Sequence, residues 1–170
     1  MNTTTTTIRP YLAFYHANAK GTGCASKFEL HPAHGGVEGY VSVLMANQRT
    51  GDPNANPQIY PSFNWQNGII FTLTFTDLCE FMRVFRGEAE SIQDGKGLYI
   101  RTSEFSMRVS LRHMVEPIDA YCLEAHRTAV RVDGEEDTAR ILLSSTEAMG
   151  LCLAFENSMS LIAFGIPKAD

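Results

Sequence analysis

Ile69-Ile70-Phe71-Thr72-Leu73-Thr74-Phe75 runs directly into Thr76-Asp77-Leu78-Cys79-Glu80-Phe81-Met82-Arg83-Val84-Phe85. The first part is rich in β-branched and aromatic residues, the composition of a strand. In the second, Leu78, Phe81, Met82 and Phe85 fall at i, i+3, i+4 and i+7, one buried helical stripe. Thr76 is the expected cap of this helix, with Asp77 and Glu80 near its positive end. The junction recurs where Ala139-Arg140-Ile141-Leu142-Leu143 meets Ser144-Ser145-Thr146-Glu147-Ala148-Met149 and continues to Phe164. Ser144 and Glu147 have the spacing of a capping box, and Gly165 with Pro167 stops the helix.

Short strands precede each junction. Lys20 to Leu30 mixes small residues with a strand-like end, and Gly39 to Asn47 alternates with apolar residues on both sides, so this strand is expected to be covered on both faces. Asn67-Gly68, between Phe63-Asn64-Trp65 and Ile69, carries the composition of a tight hairpin turn. Beyond the first helix, Leu98 to Ile100, Phe105 to Met114 and Ala120 to Thr128 read as strands, and Asp133 to Asp137 as an acidic loop. The expected class is α+β, with two four-stranded antiparallel sheets each followed by a helix, ββββα repeated twice. Residues 1–17, including the threonine run Thr3 to Thr7, are expected as a loose tail, 18–166 as one domain and 167–170 as a short C-terminal tail. Asn47 to Pro61, with Pro53 and Pro57, reads as a mobile insertion.

The bulk composition is that of a globular protein: 44% apolar and 19% charged over 170 residues. The net charge of −5 runs against phosphate binding. Cys24, Cys79, Cys122 and Cys152 form no CxxC pair and sit in apolar runs, which reads as buried reduced thiols. No export signal or membrane-spanning run is read, so a cytoplasmic protein is expected, organellar if eukaryotic, with the hydroxyl-rich start as a weak transit-like feature. His31-Pro32-Ala33-His34 reads as a turn with two exposed histidines rather than a metal site, and no metal or other cofactor is expected. Cys152 has no base near it in sequence, and phosphate-loop, dinucleotide and nucleophile-elbow motifs are absent. A non-catalytic protein without a small-molecule substrate is expected.

The stretch 63–87, FNWQNGIIFTLTFTDLCEFMRVFRG, resembles the centre of the Whirly family of single-stranded nucleic-acid-binding proteins. ILLSSTEAMGLCLAFENSMSLIAFGI, 141–166, is similar to that family's second helix, and Lys20-Gly21 with Ala25 and Phe28-Glu29 resembles its first strand more loosely. Two positions depart from the pattern: Thr22 or Gly23 stands at the motif's second lysine, and Asn64 at its usual aspartate. The resemblance implies roughly perpendicular sheets and helices forming the core of a homotetramer. It also implies single-stranded DNA or RNA crossing the sheets with little sequence preference, in DNA maintenance or transcription regulation. Mitochondrial guide-RNA-binding proteins share that fold.

Such binding needs cations along the phosphates and rings for the bases. Arg108 and Arg112 share the wet face of the 105–114 strand, and Tyr99 and Arg101 share a face of the strand before it. The plainer alternative is a solvated sheet face. Lys20 and Lys27 flank the first strand, and Trp65 is a stacking candidate unless it belongs to the core; Tyr40, Tyr60 and Tyr121 follow it. The second helix is apolar around much of its circumference, so it must lie between layers or between subunits. Met149, Cys152, Phe155, Met159 and Ile162 are the expected oligomerisation residues. An oligomeric scaffold that kept the fold without nucleic-acid binding is the rival reading.

Overall fold

The computed structural model describes residues 10–49, 61–130 and 135–167. Strands β1 (Tyr11–His16), β2 (Cys24–His31), β3 (Tyr40–Asn47) and β4 (Ile69–Leu73) form one antiparallel sheet in the order β1-β2-β3-β4. Helix α1 (Phe75–Phe85) follows at once. Strands β5 (Leu98–Arg101), β6 (Phe105–Met114), β7 (Ala120–Ala129) and β8 (Glu136–Leu143) form the second, in the order β5-β6-β7-β8, and α2 (Ser145–Phe164) closes the chain. The α+β class and the doubled ββββα plan read from the sequence are those of the structure.

Both junctions are locked by reciprocal caps. Thr74, not Thr76, caps α1: its hydroxyl accepts from the Asp77 amide (3.4 Å), and the Asp77 carboxylate accepts from the Thr74 amide (2.9 Å). At α2 the Ser144 hydroxyl accepts from the Glu147 amide (3.3 Å), and Glu147 accepts from the Ser144 amide (2.8 Å). These bonds satisfy helix amides that would otherwise have no partner, so no loop is needed to turn strand into helix. Glu147 also meets His16 Nε2 at 2.7 Å, tying the end of β1 to the start of α2 across 131 residues of chain.

The inner faces of both sheets and the two helices share one core. Phe155 of α2 lies at its centre, with ring centroids 6.0 Å from Phe28 of β2, 6.3 Å from Phe81 and 6.4 Å from Phe85 of α1. Phe85 in turn meets Tyr121 of β7 edge-on at 5.5 Å. Side by side, the sheets are joined where the Asn47 side-chain amide donates to the Thr138 carbonyl (2.9 Å).

Several expectations need correction. Tyr11–His16, placed in the loose tail, form β1 and pair with β2 along their length, from Tyr11–Glu29 to His16–Cys24. Asn67-Gly68 makes no hairpin. Trp65–Asn67 is a short 3-10 turn, β4 pairs with β3, and Gly68 has φ −63°. A glycine serves at 68 for another reason: a Cβ there would lie 2.7 Å from Leu44 Cδ1 and 2.8 Å from the Met45 carbonyl. β3 is covered on both faces to different degrees: Val41, Val43 and Met45 are buried on one, and on the other Ala46 is buried while Tyr40, Ser42 and Leu44 are half-buried. Glu136 and Asp137 of the expected acidic loop belong to β8. The threonine run, residues 50–60 of the expected insertion and residues 168–170 lie outside the described residues.

Ser26 is fully buried on the inner face of β2, and its hydroxyl has no hydrogen-bond partner among the described residues. A buried unpaired hydroxyl costs free energy. Ser26→Ala is therefore expected to leave stability unchanged or raise it by up to about 1 kcal/mol in urea unfolding. A loss of more than that would reveal a bond this hydroxyl makes.

Glu147 offers an acid-side test. Burial pushes its carboxyl up, but bonds from His16 and from the Ser144 amide and hydroxyl outweigh this and hold it below the ordinary value of 4.5. A lowered native value stabilises the fold above the unfolded value and loses that contribution as pH falls through the native one. Glu147→Gln is expected to flatten the stability loss below about pH 4.5 while leaving the neutral-to-basic profile parallel to the parent. Circular dichroism across a pH series reads this directly.

Candidate nucleic-acid interface

Strand alternation leaves each sheet one outer face, and the two faces differ in chemistry. On the second sheet the register pairs Tyr99 with Arg108, Arg108 with His126, Ser110 with Glu124, and Glu124 with Arg140. Tyr99, Arg101, Arg108 and Arg112, chosen from the sequence, therefore share this face, and Tyr99 is 74% exposed. Their roles differ. The Arg108 guanidinium lies 5.8 Å from the Tyr99 ring centroid and donates to the carbonyls of Lys96 (2.9 Å) and Gly95 (2.8 Å). Arg101 and Arg112 are exposed, and neither side chain has a hydrogen bond or ion pair among the described residues.

The turn held by Arg108 is conformationally costly. Gln93 and Asp94 have φ of 49° and 51°, and Gly95 and Gly97 are left-handed as well. Left-handed backbone at a residue with a side chain costs about 1–2 kcal/mol. Glu80 of α1 accepts from the Gln93 amide (3.2 Å) on one side of the turn, and Arg108 grips its carbonyls on the other. Gly97 has no alternative, because a Cβ there would lie 2.5 Å from the Val109 carbonyl. The strained turn thus stands as a wall over the outer face. Between it and strands β6 and β7 lies a groove of about 380 Å³ that includes Arg112, Glu124, His126 and Cys122.

The outer face of the first sheet is aromatic. Tyr15 of β1 meets Phe63 at 5.8 Å and Trp65 at 6.2 Å, and Phe63 and Trp65 are 6.3 Å apart. Trp65 is half-buried in this cluster at the sheet's rim. Lys27 sits 4.4 Å from the centroid of Tyr11, but its ammonium is also 3.4 Å from Glu29 Oε2, which offsets its charge. Lys20 is exposed in the turn after β1, where its amide donates to the Asn18 side chain (3.1 Å). Tyr40 is stacked on His31 at 4.4 Å, and Tyr121 is buried against Phe85 and His113. Tyr60 lies outside the described residues.

Solved structures of other proteins share this architecture. One is of the plant transcriptional regulator PBF-2, with TM-score 0.67 and 14% identity, covering 93% of this chain and 84% of that one. Another is of WHY1 from Arabidopsis thaliana, with TM-score 0.65 and 13% identity over 91% of this chain and 92% of that one. The fold is the Whirly fold. The MRP1/MRP2 structures from Trypanosoma brucei are similar at TM-score 0.56 and 13% identity, covering 90% of this chain and 93% of that one. No family model matches the sequence, and no curated protein matches it at the sequence level.

Within this Whirly fold the helix residues expected to drive assembly divide. Cys152, Phe155 and Ile162 are buried in the chain's own core, and Met159 packs partly against it. Of the five, Met149 is exposed; Leu153 and Phe164, which is 88% exposed, lie on the same side of α2, with Asn157 and Ser160 between them. The stripe read from apolar spacing is thus the intramolecular one, and the outer stripe lies on the opposite side of α2.

Tyr11 and Tyr15 were hidden by the assignment of β1 to a tail, although Tyr11-Leu12-Ala13-Phe14-Tyr15-His16 has strand composition. Glu124 and His126 fall in period two with Cys122 and Thr128 along β7 but carried no motif, and Arg140 joins them only through the pairing of β8 with β7. Nothing on either face resembles a reactive centre. Burial pushes the Cys24 thiol up to about 11. It also raises Cys152, despite the Arg86 guanidinium beside it. Among the described residues no trio of His, Cys, Asp or Glu is placed to hold a metal ion, and no helix is long and apolar enough to cross a membrane.

The two arginines of β6 should separate experimentally. Arg112→Ala is expected to leave thermal stability within about 0.5 kcal/mol, whereas Arg108→Ala should cost about 1–2 kcal/mol by releasing the turn. Equal melting temperatures for the two variants would count against the clamp.

Proposed function

We propose that this chain is a non-catalytic, single-stranded nucleic-acid-binding protein that works as a homotetramer, on DNA or RNA, with little sequence preference along most of its path. The observation that carries this reading is the pair of outer faces. One offers Arg101 and Arg112, whose side chains have no partner among the described residues, and the other a cluster of rings at Tyr15, Phe63 and Trp65. Phosphate neutralisation and base stacking are the two requirements of sequence-tolerant single-strand binding. Local placement resolves the apparent conflict with a net charge of −5, since the field near a surface follows the nearest charges and distant ones are screened within about 8 Å at physiological salt. The likeness in fold to a plant transcriptional regulator supports a role on nucleic acid. The place of action is the cytoplasm, or an organelle if the source is eukaryotic.

Assembly is assigned to the outer stripe of α2, where Met149, Leu153 and Phe164 leave apolar surface in water in the single chain. Ile166, just beyond the helix, extends it. The net negative charge favours a second reading, a scaffold that assembles without binding nucleic acid.

Fluorescence anisotropy with labelled oligo-dT and oligo-U across a salt series decides between them. Binding is expected to weaken along a straight log–log line, with a slope of about −0.7 per phosphate contacted. Arg112→Ala should shallow that slope by about 0.7. An intact tetramer by light scattering with no binding at low salt would leave the scaffold. Leu153→Glu with Phe164→Glu is expected to reduce the assembly while the circular dichroism of the chain persists.

A further inference from the structure

Resting on the outer face of the second sheet as a nucleic-acid surface, we infer that the groove beneath the strained turn is a guanine subsite on an otherwise sequence-tolerant path, with Glu124 as its specificity-determining residue.

Glu124 is out of place on a face meant only for phosphates. It lies between Ser110 and Arg140 in the register, diagonal to Arg108 and Arg112. Its carboxylate has no hydrogen bond or ion pair among the described residues, although it is half-buried and lines the groove. A carboxylate is an acceptor only, so what it lacks is a donor. Among the nucleobases, guanine alone presents two adjacent donors on its Watson–Crick edge, the N1 imino and N2 amino hydrogens. The two carboxylate oxygens match that pair. Uracil and thymine offer a single imino donor flanked by two carbonyl oxygens, which a carboxylate repels.

The remaining walls suit a nucleotide. His126 brings a flat ring, fixed by a 2.8 Å hydrogen bond between Nδ1 and Thr138 Oγ1. Unpaired bases on single strands are read in this manner, by stacking on rings and by hydrogen bonds along the Watson–Crick edge. The floor is Cys122, buried and held by the Arg140 Nε donor at 3.2 Å from its sulfur. Arg112, whose guanidinium has no partner among the described residues, lines the same groove and is assigned the phosphate of that nucleotide. At about 380 Å³ the groove falls in the range of small-ligand sites. Arg108 forms the edge and commits Nε and one Nη2 hydrogen to the turn, which fixes the shape of the groove.

The test uses the full chain and two probes. Labelled oligo-dT is compared with the same oligomer carrying one central guanine, and the amide NMR spectrum is titrated with GMP and with UMP. The guanine oligomer is expected to bind about five- to tenfold more tightly, the scale of one good bidentate base contact. GMP, and not UMP, should shift resonances of β6, β7 and the 91–97 turn. Glu124→Gln, which replaces one acceptor by a donor, should bring the two oligomers within about twofold of each other. If oligo-dT binds with the expected salt dependence but the guanine changes nothing, the subsite is overturned and the general interface stands. If neither oligomer binds at low salt, both are overturned.

Discussion

Phe155 makes the contacts on which the remaining architecture depends. Its ring touches Phe28 from the first sheet and Phe81 and Phe85 from the first helix, and it is itself carried by the second helix. Neither ββββα unit could bury its inner face alone, because each sheet has a single helix after it and no second layer of its own. The ring joins both halves. Truncating a buried phenylalanine costs about 3–5 kcal/mol, a large part of the stability of a domain this size. The inner side of α2 is committed to this contact, which leaves its outer side to face water or another copy.

With the inner faces consumed by the core, the outer faces are what the two sheets present to solvent, and they differ in chemistry. The first gathers Tyr11, Tyr15, Phe63 and Trp65 at one margin, whereas the second carries arginines and a groove. Arg108 illustrates why counting cations misleads. It looks in sequence like one more free surface cation, but its Nε and one Nη2 hydrogen hold a left-handed turn, so its position is fixed by the fold and three donors remain toward solvent. Lys27 is similarly discounted by Glu29.

The period-two alternation from Phe105 to Met114 and the i, i+3, i+4 pattern after Leu78 were legible because each records a local constraint that burial reinforces. The helix junctions were legible for the same reason, although the first cap moved two residues, to Thr74. What failed was tertiary. Tyr11–His16 reads as a tail because its partner strand starts after a glycine-rich turn, and the pairing is visible in register rather than in composition. Asn67-Gly68 reads as a hairpin because the dipeptide permits positive φ; here the glycine answers instead to the close approach of Leu44 and Met45. On α2, spacing alone could not separate residues buried in the chain's own core, such as Cys152, Phe155 and Ile162, from those left exposed, such as Met149 and Leu153. The groove had no sequence signature, since its charged residues come from separate strands.

Each sheet is a meander in which every strand pairs with its neighbour in sequence. Loop closure between neighbours costs little entropy, and cost grows slowly with separation. Each half can therefore assemble its own sheet before the halves meet, and the late event is the docking of α2 that seats Phe155 among Phe28, Phe81 and Phe85. A chain emerging from the ribosome would complete its first sheet and helix before the second helix exists, with the Phe28 and Phe81 surfaces still uncovered. Until α2 arrives, that half exposes the apolar face most prone to aggregate, so α2 acts as the built-in cover for the first unit.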